Sequence, residues 1–201
     1  MGWSLAYSVP EEPQLIEEFL LAVGKCLYLA SAFEEKCKCV LRAAKIATTY
    51  EEHDDDAAAM VLAKAMRDKL LAPTIADLKA FFQVEDIAVL ERAKDARNFI
   101  AHESANIGPL HHASAPHIHQ RLARLRTELE ALAAGDNLVS AWVYEIEEKE
   151  PAPQGIKAAY PDWIRNWVFG GIDRFDRAAE LGCRIPKGMA GLKRELHKEK
   201  A

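Results

Sequence analysis

Apolar residues recur at three- and four-residue steps along nearly the whole chain, and sustained two-residue alternation appears nowhere. The first spacing gathers side chains on one face of an α-helix, whereas a strand needs alternate residues to share a face. The pattern therefore predicts an all-α protein. Glu11 to Thr48 reads as one long amphipathic helix with Leu15, Phe19, Val23, Cys26, Leu27 and Ala30 on its apolar face. Pro10 and Pro13 introduce it, and Glu11, Glu12, Glu17 and Glu18 fall in its first turns, where the helix dipole favours acids. The acidic run Glu51-Glu52-His53-Asp54-Asp55-Asp56 interrupts the pattern; its carboxylates and His could suggest a metal, but Asp at a helix start is a routine N-cap, and a cap for a second helix is expected.

That second helix is predicted from about Asp55 to Ala72, with Pro73 as its stop. Thr74 and Asp77 have the spacing of a capping box opening a short segment through Gln83. Another helix runs from Val84 to about Asn106 and ends at Gly108-Pro109, and Leu110 to Pro116 reads as loop. His117 to Ala134 forms the fourth main helix, stopped by Gly135, and Asp136-Asn137 cap a fifth through Glu150. After Pro151-Ala152-Pro153 the composition changes: Trp163, Trp167, Phe169 and Phe175 cluster, and Gly170-Gly171 divides the region into short helices. The division expected is a helical domain over 1–150 and a basic, Trp-containing helical extension over 151–201. The aromatics either pack the extension onto the body or form a partner surface, where Trp and Arg are enriched.

Composition narrows the classes. With 201 residues, 50% of them hydrophobic and 28% charged, the chain can bury a core and is not a disordered one. Its longest apolar stretch, Phe19 to Phe33, contains Lys25 and falls short of the roughly 20 residues that span a membrane. The start, Met1-Gly2-Trp3, lacks a basic and apolar signal, and Ala6 departs from the myristoylation pattern. A soluble, cytoplasmic protein without a membrane partner is expected. Cys26, Cys37, Cys39 and Cys183 include no C-x-x-C pair, and residues two apart on a helix, such as Cys37 and Cys39, diverge by roughly 200°. Reduced, structural thiols are expected, with no metal and no cofactor. The net charge of −5 is unevenly spread: 16 Lys/Arg against 25 Asp/Glu in residues 1–150, and 10 against 6 in 151–201. An acidic body argues against general duplex-DNA binding, and the basic tail suits a local polyanion or an acidic partner.

The chemistry concentrates in Asp95-Ala96-Arg97-Asn98-Phe99-Ile100-Ala101-His102-Glu103. An Arg and a His five apart occur by chance about 0.4 times in a chain of this composition. Requiring Asn after the Arg and three apolar residues before the His lowers that to about 0.001. At 100° per residue, Val89, Leu90, Ala93, Ala96 and Ile100 group on one side of the helix, while Asn98 and His102 lie one turn apart on the other. Arg97 borders the core side, roughly 140° from His102. A second copy of the helix across a two-fold axis would supply the missing convergence, which favours a composite site in a homodimer.

The run resembles the R-x(4–6)-H motif of the HEPN superfamily (higher eukaryotes and prokaryotes nucleotide-binding), with Arg97, Asn98 and His102 in the motif positions. The layout over residues 11–150, a helical pair followed by a long helix with the motif late in it, is similar as well. The resemblance implies an all-α helical bundle of the HEPN type and a metal-independent endoribonuclease. Its substrate would be RNA, its catalytic residues Arg97, Asn98 and His102, and its partners a second copy and an antitoxin or other regulatory protein. Toxin–antitoxin and phage-defence effectors belong to this superfamily, as do members that lost catalysis and bind nucleotides or proteins. One toxin branch carries Tyr two residues after the His; here that position is Ser104, which departs from the pattern.

Two other readings stay open. Arg97 and His102 suit a solvent-facing pair at a helix end, where the dipole favours a cationic His. His111, His112, His117 and His119 invite a metal, an RNA contact or a plain solvated loop. Against the metal, His117 and His119 sit two apart at a helix start and no carboxylate or Cys is interleaved.

Overall fold

The computed structural model describes residues 13–53, 56–65, 69–107 and 113–180, and among them six helices and no strand. These are α1 (Pro13–His53), α2 (Asp56–Ala65), α3 (Leu71–Leu78), α4 (Val84–His102), α5 (Ala115–Glu148) and α6 (Gln154–Glu180). The all-α expectation holds.

Side-chain pairings give the topology. On α4 and α5, Arg92 meets Glu128 at 2.7 Å while Phe99 and Glu103 meet Arg124, so the helices are antiparallel. On α6, Tyr160 meets Asp136 and Asp173 meets Arg126, so α6 is antiparallel to α5. Lys25 meets Trp167, and Glu18 lies against Gly171, which makes α6 antiparallel to α1 as well. Phe19, Phe33 and Leu41 from α1, Leu90 and Ile100 from α4, Leu125 and Leu129 from α5 and Phe169 from α6 fill the space between the four. Ile75 and Leu78 of α3 close one end of it.

The structure corrects several boundaries. Pro73 does not stop a helix; it stands in the first turn of α3, where its missing N–H costs no hydrogen bond. Thr74 is not a cap: its hydroxyl donates to the Leu70 carbonyl at 2.8 Å, and Asp77 instead pairs with Lys45 and Lys69, each at 2.5 Å. Those two hydrogen bonds hold the Asp77 carboxyl below its usual pKa. α4 ends at His102 rather than near Asn106, and Gly108-Pro109 lies outside the described residues. Leu27 and Val89, expected in the apolar stripes, are exposed.

The largest correction concerns Gly135. It does not stop a helix, and Asp136-Asn137 do not cap one, because α5 runs unbroken through all three. A glycine is required there by packing: a Cβ would collide with that of Ala93 on α4 and press to 3.2 Å on Phe33 Cε2. The helix tolerates it since neighbours supply the stability that glycine withholds, about 1 kcal/mol relative to Ala. Likewise Gly170-Gly171 do not divide the C-terminal region, and α6 passes through both and through Pro161. Gly135→Ala gains the helix propensity but wedges α4 from α5, and overpacking of about 1–3 kcal/mol wins when both atoms are fixed to backbones. The expected net loss is about 1 kcal/mol in denaturant unfolding. Gly170→Ala, with open space around its Cβ, should gain about 0.5–1 kcal/mol in the same assay.

Ala152, Val168, Phe169 and Ile172 are buried, so the described part of 151–201 shares the core with α1 and α5. Lys149, in the left-handed conformation with φ 57°, ends α5 and turns the chain toward α6. Cys26 and Cys37 are core residues. Burial pushes the Cys26 thiol up to about 12 against the opposing charge of Lys25. Burial raises Cys37 too, helped by the carboxylates of Asp136 and Glu34. Cys183 lies outside the described residues. Among the described residues no helix is long and apolar enough to cross a membrane.

Candidate functional site

α4 positions the candidate residues. Leu90, Ala93, Ala96, Phe99 and Ile100 are buried, which fixes the rotation of the helix and turns Asn98 and His102 outward. Glu85 and Asp86 occupy its first turn and His102 its last, both favourable to the dipole. The end is sealed by the backbone N–H groups of Glu103 and Ser104, which donate to the Phe99 carbonyl at 2.8 and 3.0 Å.

Asn98 and His102 are exposed one turn apart, as the periodicity predicts. Arg97 is half-buried and turned toward α1. Its Nη2 donates to Glu34 Oε2 at 2.6 Å, and its Nη1 donates to Asn98 Oδ1 at 3.3 Å. Glu34 also holds Lys38 at 3.1 Å. Burial works against the Lys38 charge, but hydrogen bonds to Glu35 and Glu34 outweigh it and hold its pKa above the usual value. The structure thus brings Arg97 and Asn98 together and leaves His102 apart from them; His102 has no hydrogen-bond or ion-pair partner among the described residues.

Glu34 is the residue that sequence reasoning misses. It lies 63 positions from Arg97 in an unremarkable stretch of α1, and nothing local marks it. It orients the guanidinium fork, and the donors of Arg97 not used on Glu34 and Asn98 remain for an anion. Nearby on α4, a hydrogen bond from Lys94 holds the Glu91 carboxyl below its usual range, and the same bond raises Lys94. Ser104 is buried and its hydroxyl donates to the Ile100 carbonyl at 2.6 Å, so this position presents no side chain to solvent.

No family model, curated protein or solved structure matches the chain.

His117 and His119 stand in the first turns of α5, half-buried and exposed respectively, while His111 and His112 lie outside the described residues. Among the described residues no three His, Cys, Asp or Glu side chains are grouped to hold a metal ion. A separate cavity of about 300 Å³ opens between α5 and α6, lined by Leu129, Ala133, Pro161 and Phe169 with Arg126 and Arg165. Both arginines are engaged, Arg126 with Asp173 at 2.6 Å and Arg165 with Asp162 at 2.5 Å, so the cavity offers an anion little.

Proposed function

We propose that this protein is a metal-independent endoribonuclease of the HEPN type, working as a homodimer in the manner of a toxin or phage-defence effector. The observation that carries the reading is the outward pair Asn98 and His102 on one face of α4, with the guanidinium of Arg97 fixed beside Asn98. RNA contains its own nucleophile, the 2′-hydroxyl. Cleavage needs a base to take its proton, a donor to protonate the departing 5′-oxygen, and positive charge on the phosphate. An imidazole serves as base or acid near neutral pH. Arg97 offers a planar fork to the phosphate oxygens. Asn98, whose Oδ1 accepts from Arg97, would orient the imidazole or the phosphate through its amide N–H groups once RNA is bound. Two copies would furnish two histidines, one taking and one giving the proton, and the products would be a 2′,3′-cyclic phosphate and a 5′-hydroxyl.

A second reading, a HEPN-like module that binds without cleaving, is favoured by one observation: the Arg97–Glu34 ion pair already uses the guanidinium to tie α4 to α1. The deciding experiment is incubation of purified protein with total cellular RNA in EDTA, followed by analysis of the new ends. Cleavage leaving cyclic phosphate supports the nuclease. Intact RNA with measurable RNA or protein binding supports the module.

A further inference from the structure

The outer face of α1 is exposed at Glu17, Leu20, Leu21, Gly24, Leu27, Tyr28 and Ser31. Leu21 is 52% exposed and Tyr28 is 70% exposed, unusual values for apolar side chains in the middle of a bundle helix. α6 extends the patch: Trp167 packs edge-on against Tyr28 with ring centroids 6.1 Å apart, Lys25 donates to the Trp167 carbonyl at 2.8 Å, and Trp163 follows one turn away. Together these side chains leave on the order of 600 Å² of largely apolar surface in water, the top of the range for the largest patch on a monomer and about three-quarters of one partner's share of a standard interface.

We infer that this face binds a second copy of the chain, with the two α1 helices antiparallel across a two-fold axis at Gly24. The order of the residues supports that occupant. About Gly24 the exposed positions are evenly placed, with leucine matching leucine and an apolar residue matching an apolar one: Leu21 and Leu27 stand three residues away, Leu20 and Tyr28 four, and the polar Glu17 and Ser31 seven. A two-fold contact pairs residue i with j and j with i. Here that sets Leu21 against the partner's Leu27 and Leu20 against the partner's Tyr28, with Glu17 beside the partner's Ser31. A parallel pairing would instead oppose Glu17 to the same carboxylate of the other copy. Nothing lies within 4 Å of the position a Gly24 Cβ would take, so the backbones can approach closely at the crossing.

The geometry also bears on the candidate site. Glu34, the partner of Arg97, continues the Leu20–Leu27 line along α1 at a spacing of seven, so α4 flanks this face on that side. A two-fold that makes the α1 helices antiparallel keeps α4 on the same side of both, and so brings the two α4 edges together. In that respect the inference deepens the composite-site reading and rests on it, but the interface itself is measurable without any RNA.

The test is sedimentation of the full-length protein over a dilution series, with wild type, the exposed-face variant Leu21→Glu/Leu27→Glu, and Gly24→Cys under mild oxidation. Wild type is expected to be a dimer, and the double glutamate variant should weaken dimerisation about 100-fold or more while keeping its helicity. Gly24→Cys should form a covalent dimer beyond the wild-type background, and Met60→Cys, exposed on α2, should not. A wild type that is monomeric throughout overturns the inference, as does a dimer indifferent to the two glutamates. A wild type that dimerises through this face but leaves RNA intact would end the nuclease reading and leave this one standing, whereas RNA cleavage lost in His102→Ala by a protein whose association ignores the two glutamates would do the reverse.

Discussion

His102→Ala is expected to abolish RNA cleavage in EDTA, lowering the rate by about 10²–10⁴-fold, the usual worth of one positioned acid or base. The same substitution should leave circular dichroism and unfolding within about 0.5 kcal/mol of wild type, because the side chain is exposed and has no partner among the described residues. That separation of activity from stability makes it the sharpest variant available. Arg97→Ala is less clean: it removes the proposed phosphate donor but also frees Glu34, which is only 15% exposed, and so costs stability as well. Arg97→Lys keeps the charge while losing the planar fork, and should cleave more slowly without unfolding. Equal cleavage by wild type and His102→Ala would end the nuclease reading, since the activity would then belong to something else.

The largest stability effect is expected at Asp136. This carboxylate is fully buried and receives Lys36 Nζ at 2.9 Å and the Tyr160 hydroxyl, while Lys36 also reaches Ser140 Oγ at 2.9 Å. The cluster ties α1, α5 and α6 together. Burial, and then the adjacent carboxylate, hold the Tyr160 hydroxyl above its ordinary pKa, so it stays a donor at any physiological pH. Asp136→Ala leaves a cation and a hydroxyl without their acceptor. Breaking a buried pair costs about 3–5 kcal/mol, and the low end applies here because Lys36 keeps some contact with water. The expected loss is about 3 kcal/mol, or roughly 6–12 °C in Tm. Tyr160→Phe, which removes one hydrogen bond to a charged acceptor, should cost about 2 kcal/mol. Thermal unfolding of the two variants beside wild type checks both figures, and equal losses would mean that Lys36 contributes nothing to the cluster.

The helical nature of the chain was legible because burial imposes a period on Leu15, Phe19, Val23 and Cys26 that no local exception erases. The rotation of α4 was legible for the same reason, and with it the exposure of Asn98 and His102. Where the pattern misleads, a residue serves either of two purposes. Gly135 is a terminator in an isolated helix and a contact point in a packed one, and only the proximity of Ala93 and Phe33 decides between them. Asp136 has the chemistry of a cap and is instead an internal anion, because Lys36 and Tyr160 arrive from helices distant in sequence. Pro73 breaks a helix from within but begins one from its first turn. Glu34 could not be found at all, since its role is defined by Arg97 across the bundle.

The way α6 is seated limits what can be learned by cutting the chain. Val168, Phe169 and Ile172 are sealed under α1 and α5, and Tyr160 closes the Asp136 cluster from the same helix. A fragment ending at Glu150 would therefore expose an apolar trench and strand a charged pair, and its behaviour would report on collapse rather than on what the tail recognises. The aromatic outer edge of α6 can be interrogated only while its inner edge stays in place, by single substitutions such as Trp163→Ala and Trp167→Ala. The C-terminal segment through Arg174 is a stave of the cask and not a handle fixed to its side.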